Sequence, residues 1–86
     1  MDRKVVYEFI DGEREYQNRK HGADRPPEVG AWLTIMRKYL NNAETAWVRY
    51  GDYEALVELR KVLAVGVACA EQHGMPPRRD SGGNAI

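Results

Sequence analysis

From Trp32 onward the chain repeats apolar side chains at three- and four-residue steps: Trp32, Ile35, Met36, Tyr39, Leu40, Ala43, Trp47 and Val48. That spacing lays one apolar stripe along an α-helix, whereas a half-buried strand would alternate at every second residue. It predicts a helix over about residues 28–50. Gly51 is suited to end this helix, and Asp52 to cap the next one by accepting from an exposed backbone N–H. So short a link predicts an αα-hairpin, with a third helix over about 53–73 antiparallel to the second.

The third segment begins amphipathic and becomes apolar nearly all round over residues 62–70, VLAVGVACA. A helix apolar on every side is expected to be buried on every side. Three helices of this length do not easily enclose one of their own, so a partner chain is expected to supply the cover. Ala64, Gly66, Ala68 and Ala70 would let another helix come close. Gly74 and the Pro76–Pro77 pair end the segment.

Upstream, Val5, Val6, Phe9, Ile10 and Tyr16 fall near helical spacing and predict a first helix over about 2–21. Gly12 weakens it by about 1 kcal/mol relative to alanine, and Gly22 is placed to cap its end. GADRPPEVG then reads as a loop. Its prolines suit the first turn of the second helix, and Glu28 suits the positive end of that helix. The expected fold is all-α, an antiparallel bundle of three main helices completed by self-association. It forms one domain over 1–76, followed by a disordered tail over 77–86. No internal repeat is present.

Thirteen basic residues balance thirteen acidic ones in 86 residues. Zero formal charge argues against a protein that coats nucleic acid, although charges can still gather in a local pocket. Cys69 is the single cysteine, so neither an internal disulfide nor a multi-cysteine zinc site is available. MDRKVVYEFIDGERE becomes charged too early for a secretory signal. The longest apolar run is less than half of the roughly 20 residues needed to span a bilayer. These features together lead to the expectation of a soluble, cytoplasmic protein with no membrane partner.

The order of features resembles a known family. Glu13-Arg14, Gln17, Lys20 and Gly22 precede a proline loop, then Trp32-Leu33-Thr34-Ile35, a hairpin, Glu58-Leu59 and Val62-Leu63-Ala64-Val65. Over about residues 8–74 this is similar to the MazG-like all-α nucleotide pyrophosphohydrolases, most of all to short members from bacteria and their phages. The resemblance implies a helical bundle assembling as a dimer or larger. It also implies magnesium held by an EExxE pattern on one helix and ExxD on the next, with nucleotide cleavage between the α- and β-phosphates. Here the first register falls on Lys38, Tyr39 and Asn42, and the second on Glu58 and Lys61. One carboxylate beside two ammonium groups is a poor magnesium site.

Such a copy is expected to have lost catalysis and to need no cofactor. A positive pocket can hold phosphate directly through charge-assisted hydrogen bonds. The candidate ligand-binding residues are therefore Arg14, Gln17, Lys20, Lys38, Tyr39, Asn42, Glu58 and Lys61, with no catalytic or metal-binding residue assigned. The expected function is binding a nucleotide or nucleotide-derived signal without hydrolysis, and in a phage-encoded protein this would sequester a host signal in the host cytoplasm. One alternative is an active magnesium enzyme using Glu13, Glu15, Glu44, Glu54 and Glu58. Another is an interaction module docking through the third helix. Ordinary roles also fit: solvated faces for Lys38, Asn42 and Arg14–Gln17–Lys20, and an i,i+3 pair for Glu58 and Lys61. Trp32 and Trp47 suit core or interface positions, Cys69 a core thiol, and His21 and His73 the ends of helices.

Overall fold

A computed structural model describes residues 1–22 and 24–79. These residues form three helices, α1 (Arg3–His21), α2 (Val29–Tyr50) and α3 (Asp52–His73), and no strand occurs among them. Residues 77–79 follow α3 without regular structure, and the rest of the expected tail, 80–86, lies outside the described residues. No helix is long and apolar enough to cross a membrane among the described residues.

Asp2 caps α1, its carboxylate accepting from the Lys4 backbone N–H at 3.3 Å. Gly22 closes the helix at φ +57°, donating its N–H to the Asn18 carbonyl at 2.9 Å. The prolines do not open α2 as expected. That helix begins two residues after Pro27, behind an extended Glu28 whose side chain makes no capping bond. Pro27 disfavours a helical Pro26, and the Pro26 carbonyl instead accepts from Gln72 Nε2 at 2.8 Å, tying the loop to α3.

The hairpin between α2 and α3 turns on Gly51 alone. At φ +97°, glycine avoids the Cβ clash that any other residue would meet. Asp52 is therefore the first residue of α3, and no side chain caps that helix. The Asp52 carboxylate instead accepts from Trp47 Nε1 at 2.9 Å, stitching the two helices together beside the turn. Asp52 still lies, with Glu54, in the first turn, where the helix dipole favours negative charge.

Antiparallel packing follows from the core. Trp32, near the start of α2, meets Val65 and Ala68 in the second half of α3, with Ile35, Met36, Tyr39 and Cys69 packed around them. Gly66 admits the Met36 methyl group, which would lie 3.3 Å from a Cβ at that position. Replacing a buried indole such as Trp32 with alanine is expected to cost about 3–5 kcal/mol.

α3 packs against both other helices, while no Cα of α1 comes within 8 Å of one of α2 among the described residues. Glu13 on α1 pairs with Arg60 at 2.9 Å, and Gln17 Nε2 reaches the Lys61 carbonyl at 3.5 Å. α3 is thus covered on two sides rather than all round. Val62, Ala64, Val65 and Ala68 are buried, but Leu63 and Val67 remain 41% and 40% exposed.

Candidate functional site

Because α1 and α2 both rest on α3 with their backbones apart, a cleft of about 280 Å³ opens between them. Val65 and Ala68 of α3 form part of its wall. Arg14, Gln17, Asn18 and His21 line it from α1, and Trp32, Ile35, Lys38 and Tyr39 from α2. Steps of three, four and seven residues place each set along one helical face. Gly22, Asp24, Arg25 and Pro26 of the connecting loop complete the lining.

The polar side of the cleft is organised by Arg14, only 5% exposed. Its Nε and Nη2 donate to the two Glu71 carboxylate oxygens at 2.6 and 3.0 Å, and Nη2 also donates to Asn18 Oδ1 at 3.1 Å. This hydrogen bonding raises the Arg14 pKa and lowers that of Glu71, outweighing the desolvation that opposes both shifts. Arg25 Nη2 donates to the same Asn18 oxygen at 3.0 Å. One amide therefore links a buried guanidinium to one in the loop. With Gln72 holding the Pro26 carbonyl, the loop is fastened to both α1 and α3.

Glu71 cancels the charge of Arg14, so the field in the cleft comes mainly from other groups. Among the described residues, Arg25 and Lys38 have no ion-pair partner, and Asp24 is the only acid in the lining. A positive balance remains. The lining also includes apolar side chains: Trp32 is 6% exposed, and Val65 and Ala68 are buried. Trp32 Nε1 is also buried and has no hydrogen-bond partner among the described residues. An unsatisfied buried donor costs about 1–3 kcal/mol.

Of the residues singled out in the sequence, the cleft brings together Arg14, Gln17, Lys38 and Tyr39. Lys20, Asn42, Glu58 and Lys61 are not among its lining residues. Lys20 is exposed, with Nζ 5.9 Å from the centre of the Tyr16 ring. Asn42 is exposed further along α2. Glu58 and Lys61 form an i,i+3 pair at 3.1 Å, and it is the Lys61 carbonyl that Gln17 approaches. Arg14 is a structural cation more than a free one. Sequence reasoning missed Asn18 and Arg25 and gave His21 only a helix-end role. The four- and seven-residue steps from Arg14 to Asn18 and His21 were the available signal.

Among the described residues, no three His, Cys, Asp or Glu side chains are grouped so as to hold a metal ion. Glu13 and Glu58 are each paired with a cation. These residues do not fit a magnesium site, which requires several hard oxygen ligands in near-octahedral array. No family model, curated protein or solved structure matches the chain.

Proposed function

We propose that this protein binds a nucleotide or nucleotide-derived signal in the cleft between α1 and α2, without metal and without hydrolysing it. The supporting observation is convergence: Arg25 and Lys38, two cations that form no salt bridge among the described residues, share one cleft with Trp32 and Tyr39. Arginine offers a planar fork to phosphate oxygens, and lysine offers a point charge. The half-buried Tyr39 ring can stack on a base, a contact worth about 1–3 kcal/mol. A volume near 280 Å³ lies just below the roughly 300–1,000 Å³ of small-molecule pockets, which suits a ligand that leaves part of itself outside.

Kinship with MazG-like proteins, a cytoplasmic setting and use as a sponge for a nucleotide signal belong to the same proposal. It also includes self-association through a second, apolar groove between α1 and α3. Phe9, Leu56 and Leu63 in that groove are 54%, 60% and 41% exposed. A second copy would cover them, as the small size of the chain favours.

Capture and release tests the central reading. The protein is incubated with nucleoside triphosphates and cyclic nucleotides, with magnesium or with chelator, then freed of unbound ligand and heat-denatured. Intact nucleotide released after incubation with chelator is the expected outcome. A monophosphate appearing only with magnesium would mean an enzyme. Nothing retained and nothing cleaved would remove the cleft from consideration.

A further inference from the structure

Arg14 and Arg25 are held by the same amide. Asn18 Oδ1 accepts from Arg14 Nη2 at 3.1 Å and from Arg25 Nη2 at 3.0 Å. Two N–H donors can meet only the oxygen of an amide, so these bonds also fix which way Asn18 is turned. On one side the oxygen is steadied from α3, since Arg14 donates through Nε and Nη2 to Glu71. On the other side the loop is constrained at its backbone. Arg25 precedes Pro26, which restricts it to extended conformations, and the Pro26 carbonyl accepts from Gln72 Nε2 at 2.8 Å. The two guanidinium groups end differently. Glu71 holds Arg14 and cancels its charge, whereas Asn18 holds Arg25 and, being neutral, cancels nothing.

We infer that Asn18 is a positioning residue for anion binding, one that presents the Arg25 guanidinium at the cleft with its charge intact. This rests on the cleft being the ligand site, whose lining includes Arg14, Asn18 and Arg25. Nη2 takes part in both donor forks of a guanidinium, with one N–H in each, so the bond to Asn18 leaves the other fork whole. That fork suits two oxygens of one phosphate group. An exposed arginine that is already held loses less freedom on binding than one that swings in solvent. The choice of amide matters as much as its position. A carboxylate in place of Asn18 would accept from the same two donors, but its charge would compete with the ligand for Arg25.

Binding is measured by calorimetric titration in chelator with ATP, GTP, CTP, UTP, cyclic AMP and cyclic GMP, and the tightest of them is carried into the variants. Thermal unfolding is followed alongside. Asn18→Ala should weaken binding about three- to tenfold. In an Arg25→Ala background the same change should alter affinity by less than about twofold, because nothing is left to position. Asn18→Asp should weaken binding about tenfold without lowering the unfolding temperature, since its charge-assisted bonds offset an unfavourable carboxylate in the last turn of α1. A further readout needs no ligand. The ¹⁵N relaxation of Arg25 Nε, assigned by its absence in Arg25→Lys protein, should report a more mobile side chain in Asn18→Ala than in the wild type. Equal mobility, unchanged affinity in either Asn18 variant, an equal Asn18→Ala loss in both backgrounds, or an Asn18→Asp loss matched by lost stability overturns the positioning role and leaves the binding reading standing. Failure of the wild type to bind any of these nucleotides overturns both.

Discussion

Arg14 is the most deeply placed charge among the described residues, and its hydrogen bonds to Glu71 and Asn18 explain how it can lie there. Glu71→Gln leaves that guanidinium without its counter-charge. The expected loss is about 1–2 kcal/mol in urea denaturation, below the cost of breaking a fully buried pair because the Glu71 side chain is 45% exposed. Acid should have a related effect. The Glu71 pKa is lowered on folding, so its contribution is fully present above the ordinary carboxylate range and is lost as pH falls through the depressed folded value. Urea midpoints measured from about pH 6 to about pH 3 should fall more steeply in the wild type than in Glu71→Gln. Around the ligand, Arg25→Ala and Lys38→Ala should each weaken nucleotide binding by about tenfold, whereas Lys61→Ala, which alters a pair away from the cleft, should leave it within about twofold. Equal losses at Lys38 and Lys61 would place the ligand elsewhere. Arg14 was visible in the sequence as a residue of interest, but its partner was not. Glu71 lies 57 positions away, and only the crossing of α1 over α3 brings the two together.

At the scale of elements, two glycines separate backbone need from packing need. Gly51 stands at φ +97° in the one-residue turn, so Gly51→Ala should lower stability by about 1–2 kcal/mol even though open space surrounds it. Gly66 lies within α3, where alanine is worth about 0.8–1.0 kcal/mol more than glycine. Its added methyl would press only on the flexible end of Met36, so Gly66→Ala should raise stability by about 0.5 kcal/mol. Thermal melts of both variants check these opposite signs. Helix identity was legible because the stripe from Trp32 to Val48 fits no other periodicity. The start of α3 was misjudged by one residue because glycine and aspartate both suit a cap. Local chemistry could not reveal that Asp52 would be engaged by Trp47, its neighbour across the turn.

As a whole, the described residues form a helical hairpin with a third helix laid on one side, and two concave features follow from that arrangement. The gap between α1 and α2 makes the basic, aromatic cleft. On the other side, the line between α1 and α3 leaves Phe9, Leu56 and Leu63 partly uncovered. If a second copy covers them, size-exclusion chromatography with light scattering should give a mass above that of the 9.8 kDa chain. Leu63→Asp should shift it toward the monomer without unfolding α3, since Leu63 is already 41% exposed. The hairpin could be foreseen from a short link between two periodic segments. The open space between α1 and α2 could not, because periodicity tells which face a helix buries and not how far apart two helices stand. For the same reason the sequence pointed to Lys38 and Tyr39 but not to Arg25, whose place depends on where the loop is tied down.

The most direct measurement is a map of backbone amide shifts in ¹⁵N-labelled protein titrated, in chelator, with the nucleotide that capture and release recovers intact. Binding in the cleft predicts perturbations concentrated at Gln17, Arg25, Lys38, Tyr39 and Ala68, with the amides of Leu56 and Lys61 nearly still. Shifts centred on Glu58 and Lys61, or appearing only when magnesium replaces the chelator, would contradict it.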